Sequence, residues 1–269
     1  MPATEVDLPG QAARLEAGVR EAGLLALSMF QKPLHKWTKG EAQSPVSEAD
    51  IATNDLLRKR LTAGNDAVAW LSEESVDDPV RLKARYVWIV DPIDGTRAYI
   101  GELPHWAVSV ALVEDGRPIA ACLYAPASDE FFMAVVGRGA TRNGAAIKVT
   151  PDAALGGARI ACPRYLLPKL QALLPPFEVM PRTHSQALRL ARIAEGTFDA
   201  SLSGAGSHDW DLAAADLLVH EAGGALTSFT GDIVTYNRAV TRHGMLAAAG
   251  RDRHAALLEL IRDGRLAAP

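Results

Sequence analysis

Tyr86-Val87-Trp88-Ile89-Val90-Asp91-Pro92-Ile93-Asp94-Gly95-Thr96 is the stretch on which the reading of this chain turns. Its first five residues form an unbroken aromatic and β-branched run, which suits a buried strand. The run ends in a carboxylate. An acid just beyond an apolar strand is pushed into the open mouth of the sheet, where sites in α/β architectures collect. Asp91 and Asp94 flank Pro92, whose ring fixes φ and stiffens the turn. Two carboxylates held side by side repel each other, and they persist together when a cation neutralises them, typically Mg²⁺ with its demand for oxygen ligands. Gly95 lets the backbone approach a ligand closely, and successive N–H groups at a turn or helix start form an anion nest. Metal-binding acids beside a phosphate nest describe metal-assisted phosphoryl transfer.

Outward from this stretch, short apolar runs predict further strands at Val68–Leu71, 106–114, 118–124 and 130–136, with Asp115-Gly116 as a turn. Upstream, Leu15, Val19, Leu24, Leu27 and Met29 recur at helical spacing and predict a helix over 11–31. The polar segment from Lys36 to Pro45, broken by Gly40 and Pro45, predicts a loop. Ser47-Glu48-Ala49-Asp50 reads as a capping box opening a second helix with Ile51, Leu56, Leu57 and Leu61 on its apolar side. After Pro151 strands near 158–161, 177–180 and 198–202 alternate with helices near 164–174, 185–195 and 210–222. Strands near 225–228 and 246–249 and a helix from 251 close the chain. The expected class is α/β, with an α+β half over 1–150 carrying the carboxylates and a β/α half over 151–269 supplying Asp211.

Composition narrows the function. The chain has 269 residues, 48% hydrophobic and 22% charged, with a net charge of −4, so it reads as an ordinary globular protein and not a generic nucleic-acid binder. Cys122 and Cys162 lack metal-ligand spacing and read as buried thiols in a reducing compartment. Residues 1–10 hold Glu5 and Asp7 and no apolar core, and residues 23–30 fall far short of the ~20 apolar residues of a membrane span. The expectation is a soluble, cytoplasmic protein without membrane contact.

Taken singly, each remaining acid has a plain reading. Glu73-Glu74 reads as a solvated loop, Asp50 as the return partner of the Ser47 cap, and Asp211 as a helix N-terminal acid stabilised by the dipole. His105, His184, His208, His220 and His243 fit no metal spacing and read as structural or surface residues. Arg182-Thr183-His184-Ser185 reads equally as a basic specificity loop or a solvated one. The acids together are what point to a metal site.

Glu73-Glu74, the Trp88–Thr96 string, Trp210-Asp211-Leu212-Ala213-Ala214-Ala215 and Glu221-Ala222-Gly223-Gly224 resemble the inositol monophosphatase family of lithium-sensitive, Mg²⁺-dependent phosphatases, and Pro45–Asp50 matches its early aspartate segment. The resemblance covers nearly the whole chain and implies a layered αβαβα sandwich of the inositol monophosphatase and fructose-1,6-bisphosphatase type. It implies Glu73, Asp91, Asp94, Asp211 and the Ile93 carbonyl as ligands of about two or three Mg²⁺ ions. Asp91 would bridge a pair of them, Glu73 and Ile93 completing the first and Asp94 and Asp211 the second. Asp50 and Thr96 resemble the pair that orients or deprotonates the attacking water, with Glu73 near it through the metal. The Gly95 and Thr96 amides would hold the phosphate, and Lys39 resembles a loop lysine that approaches the site. Inhibition by Li⁺ and a homodimer are the corresponding expectations.

The substrate is read from departures. Where inositol monophosphatases place a glutamate that grips hydroxyls, seven residues before the aspartate of the Trp-Asp pair, this chain has Gly204, and a glycine offers no side-chain acceptor. The family's Gly-Thr or Gly-Ser pair is Ser185-Gln186 here, at the substrate side of the expected site. Gly116–Ile119, Leu123–Pro126 and Ala194-Glu195-Gly196 look more like the bacterial bisphosphate nucleotidase branch, which cleaves the 3′-phosphate of 3′-phosphoadenosine 5′-phosphate, and Arg97 is placed either to meet a second phosphate or to lie on the surface. The reading leans to that nucleotidase, with inositol-1-monophosphatase as the alternative and histidinol phosphatase third. A non-enzymatic role as an RNA-polymerase-associated partner is the reading from a different class.

Overall fold

The computed structural model describes residues 5–40, 44–64 and 67–262. In chain order the elements are α1 (Leu8–Met29), β1 (Lys36–Lys39), β2 (Ser44–Ser47), α2 (Glu48–Thr62), β3 (Val68–Ser72), β4 (Tyr86–Asp94), α3 (Thr96–Ile100), β5 (Ala107–Glu114), β6 (Arg117–Ala125), β7 (Glu130–Val135), β8 (Ala140–Arg142) and β9 (Ala145–Ile147). There follow β10 (Arg159–Ala161), α4 (Leu167–Leu173), β11 (Glu178–Val179), α5 (Gln186–Ala194), β12 (Ala200–Ser203), α6 (Asp209–Glu221), β13 (Gly224–Ser228), β14 (Leu246–Gly250) and α7 (Arg251–Arg262).

Strand β4 shows why the fold is layered. All nine of its residues are buried, so neither face meets water. Trp88 and Val90 pack with Leu15 and Val19 of α1 and Leu57 and Leu61 of α2. Val87 and Ile89, on the opposite face, pack with Leu188 and Leu190 of α5 and Leu212 and Leu218 of α6. A strand with period-2 side chains and two buried faces must read as a continuous apolar run. The seven-stranded sheet, in the order β3-β4-β5-β6-β7-β8-β9, is therefore covered on both sides. Helices α5 and α6 share that packing with Leu226 and Ala248 of the second sheet, whose order is β11-β10-β12-β14-β13. The outer face of this second sheet packs Ile160, Leu202 and Ala247 against Leu170 of α4 and Leu257 and Ile261 of α7. The layers thus run helix, sheet, helix, sheet, helix, an αβαβα sandwich.

Three local outcomes differ from the expectations. The flanks of the segment Lys36–Pro45 are strands and not loop, β1 and β2 pairing antiparallel with Trp37 opposite Val46 and Thr38 opposite Pro45; residues 41–43 lie outside the described residues. Proline is tolerated because this is a two-stranded ribbon with both edges open. Strands β8 and β9 were not anticipated; each has three residues, and they are joined through Asn143 and Gly144, both at positive φ. Strand β4 also continues through the acids, its register with β5 shifting between Asp91 and Asp94. A bulge of this kind re-aims side chains. Among the described residues no helix is long and apolar enough to cross a membrane.

Two topological facts position the site. Strands β3 and β4 run parallel with Ser72 opposite Val90, so the residues that follow Ser72 lie beside Asp91. Helix α6, in the middle layer, packs across β4, β5, β6 and β7 of that sheet.

Candidate active site

Asp91 and Asp94 are delivered by the bulged end of β4, and Asp211 by the first turn of α6, where its carboxylate accepts the His208 N–H at 2.7 Å. One carboxylate oxygen of each lies within 4.8 Å of the others. No lysine or arginine among the described residues forms an ion pair with this group. Burial, and then the charges of Glu73, Asp94 and Asp211, push the Asp91 carboxyl well above the usual carboxylate range. Burial does the same to Asp94, to about 6, although hydrogen bonds from Ser185, Ala187 and Gln186 pull the other way. Asp211 is raised well above its ordinary value by burial and by Asp94. Three converging carboxylates, two buried and Asp211 half-buried, without a cation of the protein's own form an all-oxygen donor set, and that set fits a hard divalent ion such as Mg²⁺.

Asp50 has two engagements, one for each oxygen. Its Oδ2 accepts the Ser47 N–H at 2.8 Å and the Ser47 hydroxyl at 2.6 Å, closing the capping box of α2. Its Oδ1 lies 3.1 Å from Thr96 Oγ1, which also lies 3.0 Å from the Ile93 carbonyl oxygen, so two acceptors compete for one hydroxyl proton. Gly95 precedes α3 at φ 96°, and a Cβ there would stand 2.8 Å from the His105 carbonyl oxygen. Only glycine meets both conditions.

Glu73 stands apart from the three aspartates. Its Oε1 is 3.3 Å from Lys39 Nζ of β1, which also donates to Glu74 Oε1 at 2.5 Å and to the Glu73 carbonyl at 3.0 Å. Burial pulls the Lys39 ammonium down, but the two glutamates outweigh it and hold it above its ordinary value. Burial pushes Glu74 up to about 7 against the pull of Lys39. Glu74, read as half of a solvated loop, is 4% exposed at its side chain. The partner that buries it lies 35 residues upstream, and no local pattern announces such a contact.

Ser185 caps α5, accepting the Leu188 N–H at 2.9 Å while its hydroxyl donates to Asp94. Beside it opens a cavity of about 900 Å³ whose wall includes Asp94, Asp211, Arg97, Arg189, Ser203 and Gly204. The Arg182–His184 segment lines the same cavity. Cys122 is buried as expected, but Cys162, just past β10, is half-buried because it stands at this wall. His208 stacks on Trp210 with 4.6 Å between ring centroids, which braces the start of α6. Arg189 was missed in the sequence; its spacing of four from Ser185 on α5, which puts both on one side of the helix, was the available signal.

The chain matches the model of the inositol monophosphatase family over residues 11–265. It is 40% identical over 223 residues to a protein of Xylella fastidiosa named Nus factor SuhB, covering 79% of each chain. It is 32% identical over 225 residues to the inositol monophosphatase of Dictyostelium discoideum, covering 79% of this chain and 82% of the relative. Among solved structures, the extragenic suppressor protein suhB from Bartonella henselae superposes with a TM-score of 0.81 at 27% identity, over 94% of this chain and 98% of the other.

Proposed function

The chain belongs to the inositol monophosphatase family, and from that premise, which makes it a metal-dependent phosphatase, we propose that it is a Mg²⁺-dependent phosphomonoesterase acting on 3′-phosphoadenosine 5′-phosphate. The observation that carries the Mg²⁺ reading is the convergence of buried Asp91 and Asp94 with half-buried Asp211, without an ion-pair partner among the described residues. Those three would hold the ion, with the Ile93 carbonyl and Glu73 completing its surroundings. When bound, Mg²⁺ supplies positive charge for the phosphoryl oxygens and lowers the pKa of water.

The protein's own groups do the rest. Asp50 Oδ1 draws the proton of Thr96 Oγ1 and so turns the hydroxyl's lone pairs towards an incoming water. That water attacks phosphorus in line and its proton passes to the Thr96–Asp50 pair; the P–O ester bond breaks, the leaving oxygen takes a proton from solvent water to depart as the alcohol, and the pair returns its proton to solvent. The amides of Gly95 and Thr96 orient the phosphate, and Lys39, anchored on Glu73 and Glu74, brings a positive charge to the rim. Stabilisation of the developing charge is electrostatic and positional.

The nucleotide reading is supported by Gly204 in the cavity wall, where among the described residues the carboxylates are Asp94 and Asp211, both of the metal-binding group, and the position of the inositol-gripping glutamate has no side-chain acceptor. The second reading, inositol-1-phosphate hydrolysis, is favoured by the name of the Dictyostelium relative; histidinol phosphate stands third. A role as a transcription partner has the name of the Xylella relative in its favour, but a protein-binding role alone does not call for three converging aspartates. The proposal includes a cytoplasmic homodimer inhibited by Li⁺. Phosphate release from adenosine 3′,5′-bisphosphate, inositol 1-phosphate and histidinol phosphate, with Mg²⁺ and with EDTA, tests it. The nucleotide should lead in kcat/KM by about tenfold or more. Failure to release phosphate from any of the three with Mg²⁺ present would sink the enzymatic proposal.

A further inference from the structure

Of the five tyrosines, Tyr86, Tyr99, Tyr124 and Tyr236 are between 1% and 7% exposed, whereas Tyr165 is 51% exposed. Among the described residues the Tyr165 hydroxyl makes no hydrogen bond, and its ring meets neither another ring nor a cation. Its place in the fold gives this ring a use. Strands β10 and β12 run parallel with Ala161 opposite Ser201, so the turn after β10 lies beside the residues that follow β12. Ligand crevices of α/β sheets open outside such carboxyl ends. The turn is fixed, because the Leu166 N–H donates to the Pro163 carbonyl at 3.0 Å and the Leu166 side chain is fully buried. With Leu166 anchored inward, Tyr165 is left in the wall of the cavity beside the carboxylates.

Gly204 is the floor on which the phenol end rests. A Cβ at that position would stand 2.9 Å from the Tyr165 hydroxyl oxygen, 3.7 Å from Cζ and 3.8 Å from Cε1. The Gly204 backbone lies outside the left-handed region, so φ does not demand a glycine there. Room for the ring does. The wall around the ring is apolar: Leu167 opens α4 two residues later, and Val179 and Met180 come from the end of β11, on the other side of β10. Val179, like Tyr165, is a large apolar residue left exposed. Exposed apolar surface inside a concave site matches an apolar part of a ligand. The hydroxyls of a polyol would lose water against it without gaining partners, whereas a flat π face loses nothing there.

We propose that Tyr165 is a specificity-determining residue: its ring, seated on Gly204, is a platform on which a flat aromatic part of the leaving alcohol stacks. The inference rests on the phosphatase reading and deepens it at the alcohol end of the cavity. It gives Gly204 a positive role, since the glycine admits the ring as well as removing an acceptor. Tyr165 touches no reacting atom, so its contribution lies in binding.

The test compares adenosine 3′-monophosphate with methyl β-D-riboside 3-phosphate, which share the sugar and the reacting phosphate and differ in the base. Wild type should favour the base-bearing ester in kcat/KM by about fivefold or more, the scale of one base stacked on one aromatic ring, and chiefly through KM. Tyr165→Phe keeps the ring and should keep the ratio, whereas Tyr165→Leu should bring it near one. Gly204→Ala should lower the ratio when Tyr165 is present and change nothing further in Tyr165→Leu, because its Cβ acts by displacing the ring. Without turnover, in EDTA, 2-aminopurine riboside 3′-monophosphate should lose emission to stacking on wild type and on Tyr165→Phe, and keep it with Tyr165→Leu. Equal use of the two esters by wild type, or a ratio that survives in folded Tyr165→Leu, overturns the platform and leaves the phosphatase reading standing. A ratio lost in Tyr165→Phe as fully as in Tyr165→Leu overturns it too, since the hydroxyl and not the ring is then at work. Absence of quenching by wild type overturns the platform whatever the turnover. If no phosphomonoester is hydrolysed while quenching still requires the ring, the phosphatase reading fails and the platform stands. Should Tyr165→Leu not fold, Gly204→Ala decides, and an unchanged ratio there overturns the proposal.

Discussion

The hydroxyl of Ser185 donates to Asp94 Oδ2 at 2.5 Å. Asp94 ends the long buried strand of the first sheet, and Ser185 caps a helix that begins 91 residues later. The Ala187 N–H reaches the same oxygen at 2.6 Å and the Gln186 N–H reaches the other at 3.2 Å. A carboxylate that receives three donors from one helix start is aimed by that helix. The ligand geometry at Asp94 therefore depends on the middle layer as much as on β4.

Asp94→Asn should lower Mg²⁺-dependent phosphate release by about a hundredfold or more while the protein still folds. The charge at this position serves the cation, and removing it relieves repulsion with Asp91 and Asp211. Calorimetry in EDTA should find the melting temperature level or raised. Wild-type turnover in the variant would remove Asp94 from the ligand set.

The pH dependence of that stability difference has a definite sign. Asp94 titrates at about 6 in the fold, against about 4 in an unfolded chain. Between those values the folded state holds the extra proton, so the Asp94 contribution to stability falls as pH rises through the window and is relieved as pH falls. Buried His254 and half-buried His208, whose pKa values are lowered chiefly by desolvation, act in the opposite sense on acidification, which is why the comparison must be made as a difference. In EDTA, the melting temperature of Asp94→Asn minus that of wild type should be near zero at pH 4.5 and grow towards pH 7.5. Each kcal/mol is read as about 2–4 °C for a chain of this size. A difference independent of pH would contradict the raised carboxyl.

Lithium should inhibit uncompetitively with respect to substrate, by entering the position flanked by Asp94 and Asp211. Two acids and water make a labile oxygen site. Velocity curves at rising LiCl, with KCl matching the ionic strength, should show KM and the maximal rate falling together. Curves flat to tens of millimolar would count against it.

Gly204→Glu should move selectivity towards inositol 1-phosphate. The new carboxylate accepts inositol hydroxyls and repels a second phosphate, each effect worth about 1–3 kcal/mol, so the kcat/KM ratio should shift by about tenfold or more. Gly204 is outside the left-handed region, so its backbone admits a side chain. A Cβ would stand 2.9 Å from the Tyr165 hydroxyl, but that ring is 51% exposed and can swing away. Circular dichroism establishes folding first. A folded variant with an unchanged ratio would separate Gly204 from selectivity.

What could be read from the chain follows the range of the forces involved. The run Tyr86–Val90 announced a strand buried on both faces because every residue carries the signal locally. The Ser47–Asp50 capping box spans one helical turn and was equally legible. The β1–β2 ribbon was not, since Gly40 and Pro45 look like breakers and only the cross-strand pairs make strands of their flanks. Strands β8 and β9 are too short for periodicity, although the Asn143-Gly144 turn between them is a hairpin signal. At the site, the acids of β4 declared themselves by position, but the burial of Glu74 depends on Lys39, and Arg189 has among the described residues no acid within ion-pair distance. An absence of a neighbour leaves no local mark in a sequence.

Helix α6 begins at Asp209 and lies between both sheets. It cannot release either one without wetting Leu212 on the first or Leu218 on its other turns, all of which share a single apolar layer. Cation affinity is thereby a ligand-linked gauge of the seam between α6 and the first sheet: only chains with that sheet shut on α6 present Asp211 to Asp91 and Asp94. Saturating divalent ion should draw the whole chain towards that closed form by mass action, and denaturant should release the ion and dismantle the two sheets in one concerted transition.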